Sequence, residues 1–234
     1  MSNTTLLTPP SYRAFATDFD GTLAHEGHVP RAAFAALERL RAAGWHLLLV
    51  TGREIEDLAR IFSRFDLFDI VVAENGALLF WPADSIAQCV TEPPPLAFVE
   101  RLHAHGVGPI SVGHAIIATW EPHEAAVLDT IKEMGLELQI IFNKGAVMIL
   151  PTGVNKASGL EAALQLIGIA PTDVVGVGDA ENDHALLDLC GYSAAVANAI
   201  PAILERADYI TQHSRGDGVA ELIDHLLSPE TVPQ

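Results

Sequence analysis

Ala14-Phe15-Ala16-Thr17-Asp18-Phe19-Asp20-Gly21-Thr22-Leu23 runs from a short apolar segment into a polar turn that contains glycine. The apolar part, 12–17, is too short for a buried helix and has the length of a buried strand. Beyond it, helical periodicity over 31–43 and 54–65 alternates with apolar runs at 46–51 and 70–73. Strand, helix, strand, helix, strand in this order predicts a parallel sheet. Pro30 suits the start of the first helix and Gly44 its end.

The same pattern returns late in the chain, with helices expected over 156–167, 182–190 and 218–227 and a strand at 174–177. Both ends of the chain therefore read as one α/β unit with a doubly wound parallel sheet. The middle differs. Strands at 77–80, 86–90, 110–112, 115–120, 136–142 and 146–150 are joined by short links, and helical stretches at 96–105 and 123–134 divide them into an αββαββ pattern. Such a pattern predicts a small antiparallel sheet covered on one face. The expected organisation is a core of residues 1–83 and 152–234 with a cap of residues 84–151 inserted into it. Pro93-Pro94-Pro95 is a stiff entry, and Pro151-Thr152-Gly153 the way back. No repeat at solenoid spacing interrupts this picture.

Composition narrows the partners. Against 13 Lys and Arg stand 30 Asp and Glu, a formal charge of -17 that repels a nucleic-acid backbone and an anionic membrane alike. A phosphorylated substrate is also repelled unless a metal ion and a few placed cations invert the potential locally. The two cysteines, Cys89 and Cys190, form no CxxC pair, which fits a reducing compartment. Residues 1–11 lack the basic start and apolar run of a signal peptide, and no stretch has the length and apolarity of a membrane helix. A cytoplasmic protein is expected, with 228–234 as a frayed tail.

Four segments carry chemistry, each at the carboxyl end of an expected strand or entering a helix. That is where ligands bind in open α/β sheets. Asp18 and Asp20, two apart on an extended chain, project to one side, and a carboxylate attacks phosphorus without needing a base to ionise it. An acidic turn is the plain alternative. Thr51-Gly52-Arg53 offers a hydroxyl and a glycine N–H as an anion cradle, or simply a helix cap. Lys156, in Gly153-Val154-Asn155-Lys156, supplies the cation that an acidic site lacks, although a lysine is more commonly a surface charge. In Gly178-Asp179-Ala180-Glu181-Asn182-Asp183 the two aspartates lie four apart, so a helix starting here puts both on one face within reach of an ion such as Mg²⁺, which selects carboxylate oxygens. An acidic helix start is the alternative there.

Together the four segments resemble the haloacid dehalogenase superfamily of phosphohydrolases. The αββαββ insertion between the second and third segments is similar to the C2B cap of its Cof-type class IIB phosphatases. Glu74-Asn75-Gly76-Ala77, Leu150-Pro151-Thr152-Gly153-Val154-Asn155-Lys156 and Val196-Ala197-Asn198-Ala199 support the match. The resemblance implies a Rossmann-like core and hydrolysis of a small phosphomonoester, of the phosphoglycolate or sugar phosphate class. In it Asp18 becomes an aspartyl phosphate, and Asp20 protonates the departing alkoxide and then deprotonates the attacking water. It further implies that Thr51 and Gly52 grip the phosphoryl group, with Asn182 and Arg53 at the pocket. Lys156 balances charge, and Mg²⁺ sits on Asp18, the Asp20 carbonyl and Asp179, with Asp183 close by or through water. A phosphomutase of the phosphomannomutase type and a non-catalytic phosphoacceptor domain are the competing readings, and a homodimer stays open.

Overall fold

A computed structural model describes residues 12–228. The stretch 1–11, and the tail expected to fray apart from Ser228, lie outside the described residues. The first part of the chain forms β1 (Ala14–Asp18), α1 (Arg31–Ala42), β2 (His46–Val50), α2 (Ile55–Ile61), β3 (Ile70–Ala73), β4 (Leu78–Trp81) and β5 (Ile86–Cys89). The middle forms α3 (Leu96–Ala104), β6 (Ser111–Val112), β7 (Ile117–Trp120), α4 (Glu124–Met134), β8 (Leu138–Asn143) and β9 (Ala146–Pro151). The last part forms α5 (Lys156–Ile167), β10 (Val174–Gly178), α6 (His184–Leu189), β11 (Tyr192–Ala195), α7 (Pro201–Leu204), β12 (Tyr209–Ile210) and α8 (Arg215–Leu227).

Eight strands pair in the order β12-β11-β10-β1-β2-β3-β4-β5. All neighbours from β12 to β3 are parallel, while β4 and β5 run antiparallel at one edge. Strand alternation explains why the sheet is covered on both faces. Phe15, Leu47, Leu49, Val175 and Val177 point to one side, against Leu37 and Leu40 of α1 and Leu222 and Ile223 of α8. Their neighbours Ala14, Ala16, Leu48, Val50 and Val174 point to the other, against Leu160, Ala163 and Leu164 of α5. Each of the buried Val, Leu, Ile and Phe side chains among them contributes roughly 1.5–3 kcal/mol, which fixes the register of the central strands and hence the positions of their ends.

The second sheet is antiparallel, in the order β6-β7-β9-β8. Phe98 and Leu102 of α3 and Val127 and Ile131 of α4 cover one of its faces through Ile117, Val147 and Ile149. The αββαββ reading of the insertion holds from α3 to β9. Its beginning is corrected: β5, counted within 84–151, hydrogen-bonds to β4 at the edge of the large sheet. β4 and β5 are a hairpin, and a hairpin extends the sheet it leaves, so the second sheet begins beyond Cys89.

Two other local readings change. α2 ends at Ile61 because Phe62 leaves helical geometry, with φ -126° and ψ 121°. Its ring is thereby buried against Phe19, Phe34, Phe65 and Phe68. β11 and β12 have no forecast from the pattern, since one reads Tyr-Ser-Ala-Ala and the other spans two residues.

Candidate active site

β10, β1 and β2 are adjacent and parallel, so their carboxyl ends lie side by side. Asp18 ends β1 in register with Val50, the residue before Thr51, and Thr17 is in register with Val177, two residues before Asp179. Three of the four chemical segments meet for this reason alone. The fourth comes from α5, whose first turn is fixed by a reciprocal cap: Asn155 Oδ1 accepts from the Ser158 N–H and Ser158 Oγ from the Asn155 N–H, each at 3.0 Å. α5 also presses on the turn after β3, where a Cβ on Gly159 would lie 2.5 Å from the Gly76 Cα. Gly76 has φ +105°, and a Cβ there would lie 1.9 Å from the Asn155 carbonyl oxygen. Two glycines thus let Lys156 reach the end of β1.

Lys156 Nζ donates to Asp18 Oδ1 and to Asp183 Oδ1, each at 2.6 Å, with all three side chains buried. Burial pushes the Asp18 carboxyl up to about 7; Lys156 opposes the rise, and Asp183 and Asp179 add to it. Burial works against the Lys156 ammonium, but Asp18 and Asp183 outweigh it and hold its pKa above the ordinary lysine value. The remaining oxygen of Asp183, Oδ2, accepts from the backbone N–H of Asp179 at 2.9 Å and of Ala180 at 3.0 Å. Asp183 therefore does not share a helix face with Asp179 as the spacing predicts. It belongs to a 3-10 turn, Glu181–Asp183, and folds back to brace the Asp179 loop.

Asp179 Oδ1 accepts from Thr22 Oγ1 at 3.1 Å, and its Oδ2 from Lys144 Nζ at 3.2 Å. Burial raises the Asp179 pKa, with Lys144 opposing. The same Lys144 ammonium donates to the backbone carbonyl of Asp20 at 2.8 Å. The Asp20 carboxylate turns to Arg53, whose Nε and Nη2 bind its two oxygens at 2.6 and 2.8 Å. Arg53 also bonds Asp57. Thr51 is fully buried and its Oγ1 accepts from the Arg53 N–H at 3.2 Å. Asn182 donates to Asn75 Oδ1 at 3.0 Å, leaving its own Oδ1 buried without a partner among the described residues.

A cavity of about 500 Å³ opens on this group. Asp18, Asp20, Gly52, Arg53, Lys156 and Asn182 line its floor, and Ala118, Trp120, Lys144 and Met148 of the second sheet line its roof. Thr51, Asp179 and Asp183 lie just behind the floor. All the residues singled out from sequence are thus at or beside one cavity. Lys144 was missed, and so was Thr22 as a partner of Asp179. Asn143-Lys144-Gly145 reads from sequence as a hairpin turn, but nothing local says that the turn points at Asp20, 124 positions away, and at Asp179, 35 positions away.

Oxygen atoms of Asp18, Asp179 and Asp183 lie within 4.8 Å of one another. The donors are all oxygen, as a hard divalent cation requires. One carbonyl and one carboxylate of this group, those of Asp20 and Asp179, already converge on the Lys144 ammonium. The oxygens of Asp18, Asp179 and the Asp20 carbonyl are of the kind that could hold a hard divalent cation such as Mg²⁺. Asp183, committed at both oxygens, stands behind them.

The family model for haloacid dehalogenase-like hydrolases matches residues 15–94 and 116–223. A phosphoglycolate phosphatase of Methanothermobacter thermautotrophicus is 31% identical over 225 residues, covering 92% of this chain and 99% of that protein. Among solved structures, a haloacid dehalogenase-like hydrolase from Bacteroides thetaiotaomicron superposes with a TM-score of 0.76 at 19% identity, covering 92% of this chain and 100% of the other. A subclass IIB sugar phosphatase of the same superfamily gives 0.73 at 21%, covering 92% and 98%.

Proposed function

Since the chain belongs to the haloacid dehalogenase-like hydrolases, we propose that it is a Mg²⁺-dependent phosphatase acting on a small phosphomonoester, of the phosphoglycolate or sugar phosphate class, through an aspartyl phosphate on Asp18. The observation that carries this reading is the buried bridge Asp18–Lys156–Asp183 at the floor of a roofed cavity. Lys156 occupies one oxygen of Asp18 and leaves the other to attack. A solvated surface lysine and an acidic turn, the plain alternatives, do not produce a fully buried ion pair aimed into a cavity.

Each residue then has a task. The free Asp18 oxygen forms a bond to phosphorus as the ester P–O bond breaks, and Asp20 gives a proton to the departing alkoxide. Asp20 next takes a proton from water, whose oxygen bonds to phosphorus while the Asp18–phosphorus linkage opens. For either step the Asp20 carboxylate turns from Arg53 towards the substrate. That exchange frees Arg53 for the phosphoryl or leaving group, beside the Gly52 N–H and the Thr51 hydroxyl. Lys156 stays charged throughout and offsets negative charge that grows on the transferring group. Bound at Asp18, Asp179 and the Asp20 carbonyl, Mg²⁺ would neutralise the dianion and orient it. Arg53, Arg60, Lys144 and Lys156 line the cavity and supply the local positive charge that a chain of net charge -17 needs in order to admit an anion.

Substrate size follows from the roof. Trp120, Met148 and Lys144 stand over Asp18, so the site suits a metabolite and excludes a polymer. The relative named phosphoglycolate phosphatase supports the two-carbon end of the range. The test is phosphate release from a panel of small phosphate esters with Mg²⁺, comparing the natural chain with Asp18→Asn. Activity on phosphoglycolate or a sugar phosphate, lost by at least about a thousandfold in a folded Asp18→Asn, is expected. No release from any ester, or equal release by both proteins, overturns the proposal.

A further inference from the structure

We propose that Lys144 is a tethered cation which takes the metal's place in the cradle, so that metal loading and the docking of the β8–β9 hairpin oppose each other. The inference rests on the reading above that a divalent cation binds at Asp179 and the Asp20 carbonyl.

Lys144 sits at the tip of the hairpin, with φ +49° and Gly145 following at φ +84°. Its ammonium is 2.8 Å from the Asp20 carbonyl oxygen and 3.2 Å from Asp179 Oδ2. These are two of the oxygens a hard cation would need, at about 2.0–2.1 Å each. Lys144 Nζ already stands where a metal's bonds to these two oxygens would converge. A Cβ on Gly21, whose φ is +96°, would lie 2.4 Å from Asp179 Oδ2 and 2.8 Å from Lys144 Nζ. The other Asp179 oxygen is held by Thr22, so the carboxylate cannot swing away without losing that bond. A metal that binds here must displace Lys144.

Electrostatics explains why a cation should wait there. Asp18, Asp179 and Asp183 converge within 4.8 Å, and among the described residues Lys156 is the one cation that reaches Asp18 and Asp183. Without a further positive charge, Asp179 faces two carboxylates across a buried gap. Lys144 supplies that charge from the roof, and its side chain, about half exposed, is free to leave. By linkage, whatever the metal loses to Lys144 the hairpin loses to the metal. The displaced ammonium then hangs over the cavity that Lys144 lines, available to an anionic substrate.

The test measures Mn²⁺ binding to the full chain without substrate, by the loss of the free-ion EPR signal, for the natural protein, Lys144→Met and Asp179→Asn. Lys144→Met should bind about tenfold tighter, the effect of removing one competing charge-assisted contact. Equal affinity, within about twofold, overturns the inference while leaving the metal site standing. If Asp179→Asn binds as well as the natural chain, or none of the three binds, the metal reading itself has failed and takes the inference with it. Amine acetylation followed by peptide mass spectrometry gives a second readout that needs no variant. Mg²⁺ should speed labelling of Lys144 and leave buried Lys156 unlabelled; a Lys144 rate that Mg²⁺ does not change is contrary to the proposal.

Discussion

Asp18 is a carboxylate that the fold buries beside two others, and it is tolerable because Lys156 is buried with it. Removing the lysine strands Asp18 and Asp183 together in the interior. Lys156→Met should therefore lose about 3–5 kcal/mol of stability as well as activity, which urea denaturation measures. Asp18 itself behaves oppositely in the metal-free protein. Its folded pKa, about 7, lies above the ordinary value of 3.8, so the stability it contributes is present below pH 4 and is lost as pH rises towards 7. Thermal melts in EDTA should show the melting temperature of Asp18→Asn rising relative to that of the natural chain between pH 4 and pH 7; a relative melting temperature that stays constant or falls over that range contradicts the assignment.

At the scale of the element, α5 decides whether the lysine arrives. Its cap, Asn155 with Ser158, sets the first turn, and Gly159 lets that turn press against Gly76. Gly159→Ala puts a methyl into backbone 2.5 Å away, and neither Gly76 nor the helix has a flexible end to move aside. A loss of about 1–3 kcal/mol is expected, with kcat falling because Lys156 is lifted from Asp18; unchanged kcat would mean that α5 has slack. Much of this level is legible in sequence. The short apolar runs ending in Asp18, Thr51 and Asp179 gave the parallel order, and parallel strands place their ends together. What escapes is set by tertiary contact. α2 stops at Ile61 because Phe62 has an aromatic cluster to join, and β5 reads as part of the insertion because its pattern does not record which sheet its hairpin extends.

For the molecule as a whole, the question is what holds the small sheet over the large one. The buried Glu74, at the end of β3, accepts the N–H groups of His114 and Ala115 at 2.7 Å and of Ile116 at 2.9 Å. His114 also bonds Glu56 at 2.8 Å, and Ser111 bonds Glu54. The chain links these segments across some forty to sixty positions, so no local pattern announces them, and Glu74 and Lys144 could not be assigned their places before the two sheets were docked. Glu74→Gln exchanges an acceptor-only carboxylate for an amide that faces N–H groups with its own. A cost of about 2 kcal/mol, faster hydrogen exchange at 113–116 and a larger effect on KM than on kcat are expected; exchange as slow as in the natural chain would show that the roof is held elsewhere.

The covalent role proposed for Asp18 draws its support from four segments, one cavity and one family. The measurement that reaches it most directly is acid-quench peptide mass spectrometry of Asp20→Asn, mixed with Mg²⁺ and an activated aryl phosphate, whose phenolate departs without needing a proton from Asp20. Asp20→Asn keeps the nucleophile and lacks the base that clears it, so the peptide bearing Asp18 should carry one phosphoryl group. An unmodified Asp18 peptide alongside continuing phosphate release, or a phosphoryl group on another residue, would contradict the account.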